Sequence, residues 1–133
     1  MTITQQSLIA GALLGASGVV LGAWGAHGLT AYLGHSDTGA WSTAVLYQLI
    51  HALALLCIGA LLHLNPSRAL MVATWLIIAG VLLFSGSLYG LTLGAPTWLG
   101  PVTPLGGICL VSAWLALTVA AWQWPRALAK QSK

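Results

Sequence analysis

Apolar residues run through this chain in long blocks, each closed by polar residues, glycine or proline. The blocks fall near residues 5–27, 41–63, 68–93 and 103–124. A bilayer hydrocarbon core of roughly 30 Å takes about 20 apolar residues per helix, so each block is long enough to cross once. The breaks have physical causes. Gly34-His35-Ser36-Asp37-Thr38-Gly39 is polar and flexible, Asn65-Pro66-Ser67 makes a tight turn, and the stretch from Gly94-Ala95-Pro96 to Gly100-Pro101 cannot continue a helix. The pattern predicts an all-α protein, an integral membrane antiparallel four-helix bundle. It forms one domain over residues 1–133, because too little chain lies outside the spans for a second.

Composition strengthens that reading: 59% of the 133 residues are hydrophobic and 4% charged, against about 25% charged in soluble domains. Thr2 to Ser7 is uncharged and the rest of the chain is as apolar as its start, so the beginning reads as a retained span and not a cleaved signal peptide. Charge then gives direction. Four crossings put both termini and the Asn65 turn on one side, where Arg68, Arg126, Lys130 and Lys133 all fall, while the only acid, Asp37, lies opposite. The positive-inside rule makes that basic side cytoplasmic. The net charge of +3 therefore marks loop ends and predicts no nucleic-acid partner; the lipid bilayer is the expected surrounding. Trp41, Trp98, Trp122 and Trp124 lie at predicted span ends and read as interfacial anchors. Trp24, Trp75 and Trp114 lie further in and read as packing or lipid-facing residues.

Glycine spacing predicts how the helices meet. Gly11, Gly15, Gly18, Gly22 and Gly25 fall on one stripe of the first span, widened by Ala12, Ala16, Ala23 and Ala26, and Gly86, Gly90 and Gly94 repeat the spacing in the third. Lipid supplies no hydrophobic drive for helix association, so close approach through small residues is the usual source of packing energy. The two stripes are expected to pack on one another within the bundle, with a homo-oligomer interface as the rival.

Polar side chains inside a membrane are costly and face the bundle interior by default. At about 1.5 Å per residue, Gln48 lies roughly 10 Å from the non-cytoplasmic end, Ser85 roughly 12 Å, Ser112 roughly 13 Å, and Ser17 and His51 roughly 15 Å. Each span thus contributes to one polar layer, with His27, Tyr89 and Thr103 nearer the same surface, forming a wedge open to the outside. Gln48 and His51 share a helix face. His51 either fastens helices as a neutral ring, lines a pocket, or ligates a metal or haem. His27, before Gly28, is expected to end the first helix; His35 and His63 read as loop and helix-end residues. Cys57 and Cys109 differ in depth by more than disulfide reach and read as small apolar packers.

No Asp, Glu, Lys or Arg lies within the interior of a span. That argues against proton exchange through a membrane carboxylate, a base-lined anion pore and a hard-metal site. The histidines lie at different depths and Met71 near the cytoplasmic face, so no soft-metal ligand set converges; no nucleophile has an assigned base, and no cofactor is expected.

GAWGAHGL (22–29), WSTAVLYQLIHALALL (41–56), LFSGSLYGL (83–91) and LGPVTPLGG (99–107) together resemble the YgdD-like small inner-membrane proteins, the family of domain of unknown function 423. The likeness touches all four spans. It implies a four-helix protein of the bacterial inner membrane with no established biochemical activity. By that resemblance the characteristic positions are Gly25, His27, Gly28, Tyr47, Gln48, His51, Ser85, Gly86, Ser87, Tyr89, Gly100, Pro101, Pro104 and Gly106. Trp24 stands where many relatives carry phenylalanine.

The function expected is a non-enzymatic binding or accessory role. An outer cavity around His27, Tyr47, Gln48, His51, Ser85, Ser87, Tyr89 and Thr103 would hold water, a lipid head group or a small neutral ligand. A channel or transporter for a small neutral or weakly basic solute, gated at His51, is the alternative, and a haem or redox-associated membrane protein a third.

Overall fold

The structure, a computed structural model, describes residues 1–33 and 38–131; His35, Asp37 and Lys133 lie outside them. The chain forms α1 (Ile3–Trp24), a π turn (Gly25–Leu29), α2 (Thr30–Leu33), α3 (Thr38–Leu64), α4 (Arg68–Thr92), a 3-10 turn (Thr97–Leu99) and α5 (Val102–Gln131). Four segments are long and apolar enough to cross a membrane: Ile3–Leu29, Thr38–Leu64, Arg68–Thr92 and Thr97–Trp124. Local chemistry sets their starts. Thr2 and Gln5 form a reciprocal capping box, the Gln5 N–H donating to Thr2 Oγ1 at 3.2 Å and the Thr2 N–H to Gln5 Oε1 at 3.0 Å. Ser67 caps α4 by accepting from the Leu70 N–H at 3.2 Å, directly after the Asn65-Pro66 turn. At the far end of α4, Gly94 takes φ +86°, a left-handed conformation that only glycine adopts without cost.

The four long helices form an antiparallel up-and-down bundle in which α1 packs on α3, α3 on α4 and α4 on α5. The buried apolar core is built by α3, α4 and α5, from Leu55, Ile58 and Leu62 through Leu70, Ile77 and Val81 to Leu110 and Ala113. α1 buries only Ser7, Gly11 and Gly18. It is joined to the bundle by close approach and hydrogen bonds, not by large apolar side chains.

Three expectations change here. The glycine stripe of α1 faces α3, not the glycines of α4: a Cβ on Gly11 would meet the Ala52 carbonyl and Leu56, one on Gly18 would meet Leu49 and Gln48, and one on Gly25 the Trp41 ring. Gly86 faces open space, Gly90 lies against Leu99 and Ala95, and the tight α4–α5 seam runs instead through Gly80 and Gly106, where a Cβ would strike Leu110 and the Phe84 backbone. Spacing reveals that a stripe is small; it does not say which neighbour comes close. His27 does not end the first helix. The chain widens into a π turn at Gly25–Leu29 and continues through α2. Trp41 is not an interfacial anchor: it is 3% exposed, and its Nε1–H donates to the Leu21 carbonyl at 2.9 Å. The Gly25 N–H also bonds to that carbonyl, so a side chain has entered the α1 ladder where the π turn begins.

Candidate functional site

Gln48, on the buried face of α3, joins three helices with one amide. Its Nε2 donates to the Leu14 carbonyl and to Ser17 Oγ, both at 2.9 Å, and its Oε1 accepts from the Tyr89 hydroxyl at 2.9 Å. Ser17 sends its own proton to the Leu13 carbonyl at 2.7 Å. The Tyr89 ring lies against Trp41 with centroids 4.5 Å apart, and Trp41 meets Trp24 edge-on at 5.0 Å. Ser85, fully enclosed between α4 and α3, donates to the Ala44 carbonyl at 2.8 Å. A lower tie completes the α1–α3 seam, Ser7 donating to the Leu55 carbonyl at 2.7 Å.

A second set lies one turn along α3. The Trp114 indole N–H donates to His51 Nε2 at 3.2 Å. An indole N–H can only donate, so Nε2 is the acceptor and the proton resides on Nδ1, which donates to the Tyr47 carbonyl at 2.7 Å. Both ring nitrogens are thereby occupied in a neutral imidazole. Tyr47 stacks over His51 at 6.0 Å and packs on Phe84 at 4.5 Å. Ser87 donates to the Phe84 carbonyl at 3.0 Å, which leaves the Thr103 hydroxyl to donate to Ser87 Oγ at 2.6 Å.

The residues singled out from sequence therefore fall into two linked groups: Gln48, Ser85 and Tyr89 on one side of α3, His51 and Tyr47 with Ser87 and Thr103 toward α5. His27 differs, being exposed on the π turn. The expected wedge open to the outside is instead closed: Gln48, His51, Ser85 and Ser87 are buried, and among the described residues no buried side-chain nitrogen or oxygen lacks a hydrogen-bond partner. Depth arithmetic brought the groups to one level but could not show that backbone carbonyls of adjoining helices would satisfy them. Among the described residues no three His, Cys, Asp or Glu side chains come together to hold a metal.

Sequence reasoning missed Trp41 and Trp114, both counted as apolar anchors or packers. Counting the indole N–H as a polar group would have found Trp114, which by the same rise per residue lies at about the depth of His51. Beside the first group, a groove of about 380 Å³ opens between α1 and α3; Gly22, Gly25 and Ala26 line one side, Trp41 and Val45 the other, with Thr38 and Ser42 contributing hydroxyls.

The family described as "Protein of unknown function (DUF423)" has a sequence model that matches residues 21–107. That span contains Trp41, Gln48, His51, Ser85, Tyr89 and Thr103, while Ser17 and Trp114 lie outside it. The chain is 40% identical over 116 residues to the UPF0382 membrane protein SAB0533 of Staphylococcus aureus, covering 87% of this chain and 94% of that one. It is 40% identical over 115 residues to the UPF0382 membrane protein YwdK of Bacillus subtilis, covering 86% and 94%. To the UPF0382 membrane protein SERP0230 of Staphylococcus epidermidis it is 42% identical over 113 residues, covering 85% and 92%. No solved structure matches the chain. With four apolar helices of membrane length, a family match over residues 21–107 and relatives 40% identical over most of its length, the chain belongs to the DUF423 family of membrane proteins of unknown function.

Proposed function

We propose that the protein is a non-catalytic membrane protein with a binding or accessory role, lying in the bacterial inner membrane with both termini in the cytoplasm. The one-sided placement of its basic residues supports that orientation. Its ligand is a small neutral polar molecule, held in the groove beside Trp41 and not among the polar side chains themselves, whose hydrogen bonds are already made within the chain.

One observation carries this reading: the groove shares Trp41 with the network. The same ring walls the groove, bonds to Leu21 and packs on Tyr89, which bonds to Gln48. A ligand there would touch hydroxyls at Thr38 and Ser42 on an otherwise apolar surface, the mixture typical of small-molecule sites. Gln48 and Ser85 then act as fasteners that hold α1 and α4 on α3 and so keep the groove in shape. Small molecules that co-purify with the wild-type protein in mild detergent, compared by mass spectrometry with those of Ala26→Phe, test it. Ala26 is exposed on the groove wall, so phenylalanine fills the groove without entering the network. A neutral polar compound retained by wild type and lost from the variant is expected; identical profiles would refute the site.

A solute path through the bundle has less support, because Leu55, Ile58, Leu62, Leu70 and Ile77 are buried in the half of the bundle toward the Asn65 turn. Proteoliposomes are expected to pass small neutral solutes no faster than empty vesicles, and a flux abolished by His51→Ala would replace the binding role with transport.

A further inference from the structure

Two apolar grooves lie along the seam between α3 and α5, on the part of the molecule facing away from α1. One, of about 430 Å³, is lined by Leu53, Cys57, Leu61, Trp114 and Leu117 among others. The next, of about 510 Å³, is lined by Leu61, Leu70, Leu117, Ala120, Ala121 and Trp124. Leu61 and Leu117 belong to both, so the two form one trough. Its course along α5 from Trp114 to Trp124 is roughly 15 Å, about half the hydrocarbon core, which is the length one lipid chain occupies in one leaflet.

The trough is also polarised. It ends at Leu70 and Trp124, and the exposed Arg68 stands two residues before Leu70 at the start of α4. A second copy of the chain is the rival occupant: membrane helices approach through small residues, and Cys57, Ala120 and Ala121 line the trough, but Leu53, Leu61, Leu117, Trp114 and Trp124 line it too and hold a partner's backbone away. We propose that the trough holds one acyl chain of an anionic phospholipid whose head group lies at the Arg68 end, where basic residues attract anionic lipid. The site is separate from the groove at Trp41 and stands or falls independently of it.

Cys57 reports on the trough, since it lines it and its side chain is exposed. In a Cys109→Ala background, the protein in detergent is alkylated with N-ethylmaleimide in the presence of added dioleoyl phosphatidylglycerol or dioleoyl phosphatidylcholine. Phosphatidylglycerol is expected to slow alkylation at least about threefold more than phosphatidylcholine. Arg68→Gln, at an exposed position, removes that difference, and Ala121→Trp, which blocks the lower trough, removes protection by either lipid. Equal protection by the two lipids in the wild-type background, or a difference that survives Arg68→Gln, overturns the proposal. So does protection without lipid accompanied by oxidative Cys57–Cys57 dimers, which would assign the trough to a second copy. The unblocked protein decides the question even if Ala121→Trp fails to fold.

Discussion

At the scale of single residues, Gln48 carries the most. Hydrogen bonds between membrane helices average about 0.6 kcal/mol each and reach about 1.7, and Gln48 makes three of them. Gln48→Ala also strands the Tyr89 hydroxyl, so it is expected to lower stability by about 2 kcal/mol, read as an earlier midpoint in detergent-titrated unfolding. His51 is expected to show nitrogen-15 resonances of a neutral ring protonated on Nδ1. Trp114→Phe, which removes the donor to Nε2, should mix the tautomers; an unchanged spectrum would show that Trp114 does not fix the ring. Glycines separate by what surrounds them. An added Cβ on Gly25 would come within 2.5 Å of the Trp41 ring, whereas on Gly86 it meets nothing within 4 Å. Gly25→Ala is therefore expected to destabilise by displacing Trp41 from Leu21, and Gly86→Ala to melt at or slightly above the wild type, since alanine is the better helix former. The sequence made the pairing of Gln48, Tyr89 and Ser17 partly legible, because rise per residue sets depth. It hid Trp41 and Trp114, because tryptophan is amphipathic and composition alone does not say which of its properties a site uses.

At the scale of elements, α1 is the distinctive helix. It buries no large side chain and is held on α3 by the close approach of its glycine stripe together with hydrogen bonds at Ser7, Gln48 and Trp41, not by large apolar side chains. Local opening follows the weakest-held element. Amides of α1 between Ser7 and Gly18 are expected to exchange hydrogen sooner than those of α3 and α4 in the same micelle, and the gap should widen in Gln48→Ala. Equal protection across the helices would mean that the small-residue contact alone holds α1. The π turn explains why the first helix outlasts the expected stop at His27: glycine tolerates the wider turn, and the Trp41 indole shares the Leu21 carbonyl with Gly25. A residue on another helix supplied the cause, so no local signal could have announced it.

At the scale of the whole molecule, orientation and architecture rest on different physics. If both termini are cytoplasmic, a C-terminal green fluorescent protein fusion is expected to fluoresce and an alkaline phosphatase fusion at the same point to stay inactive; the reverse pattern would invert the orientation. The four membrane-length apolar helices and the all-helical class were determined by sequence alone, because an unpaired backbone group in lipid is so costly that a long apolar block has little choice but to be a helix. Which helices touch was decided only in three dimensions. The stripe on α1 could have met any neighbour, the buried amide and imidazole could have lined a cavity, and the glycines of α4 could have made the central seam. Packing assigned α1 to α3, gave the α4–α5 seam to Gly80 and Gly106, and turned the polar layer inward onto backbone carbonyls. In a solvent as apolar as the side chains themselves, shape and hydrogen bonding select the partner, and both are properties of surfaces that exist only once the helices have met.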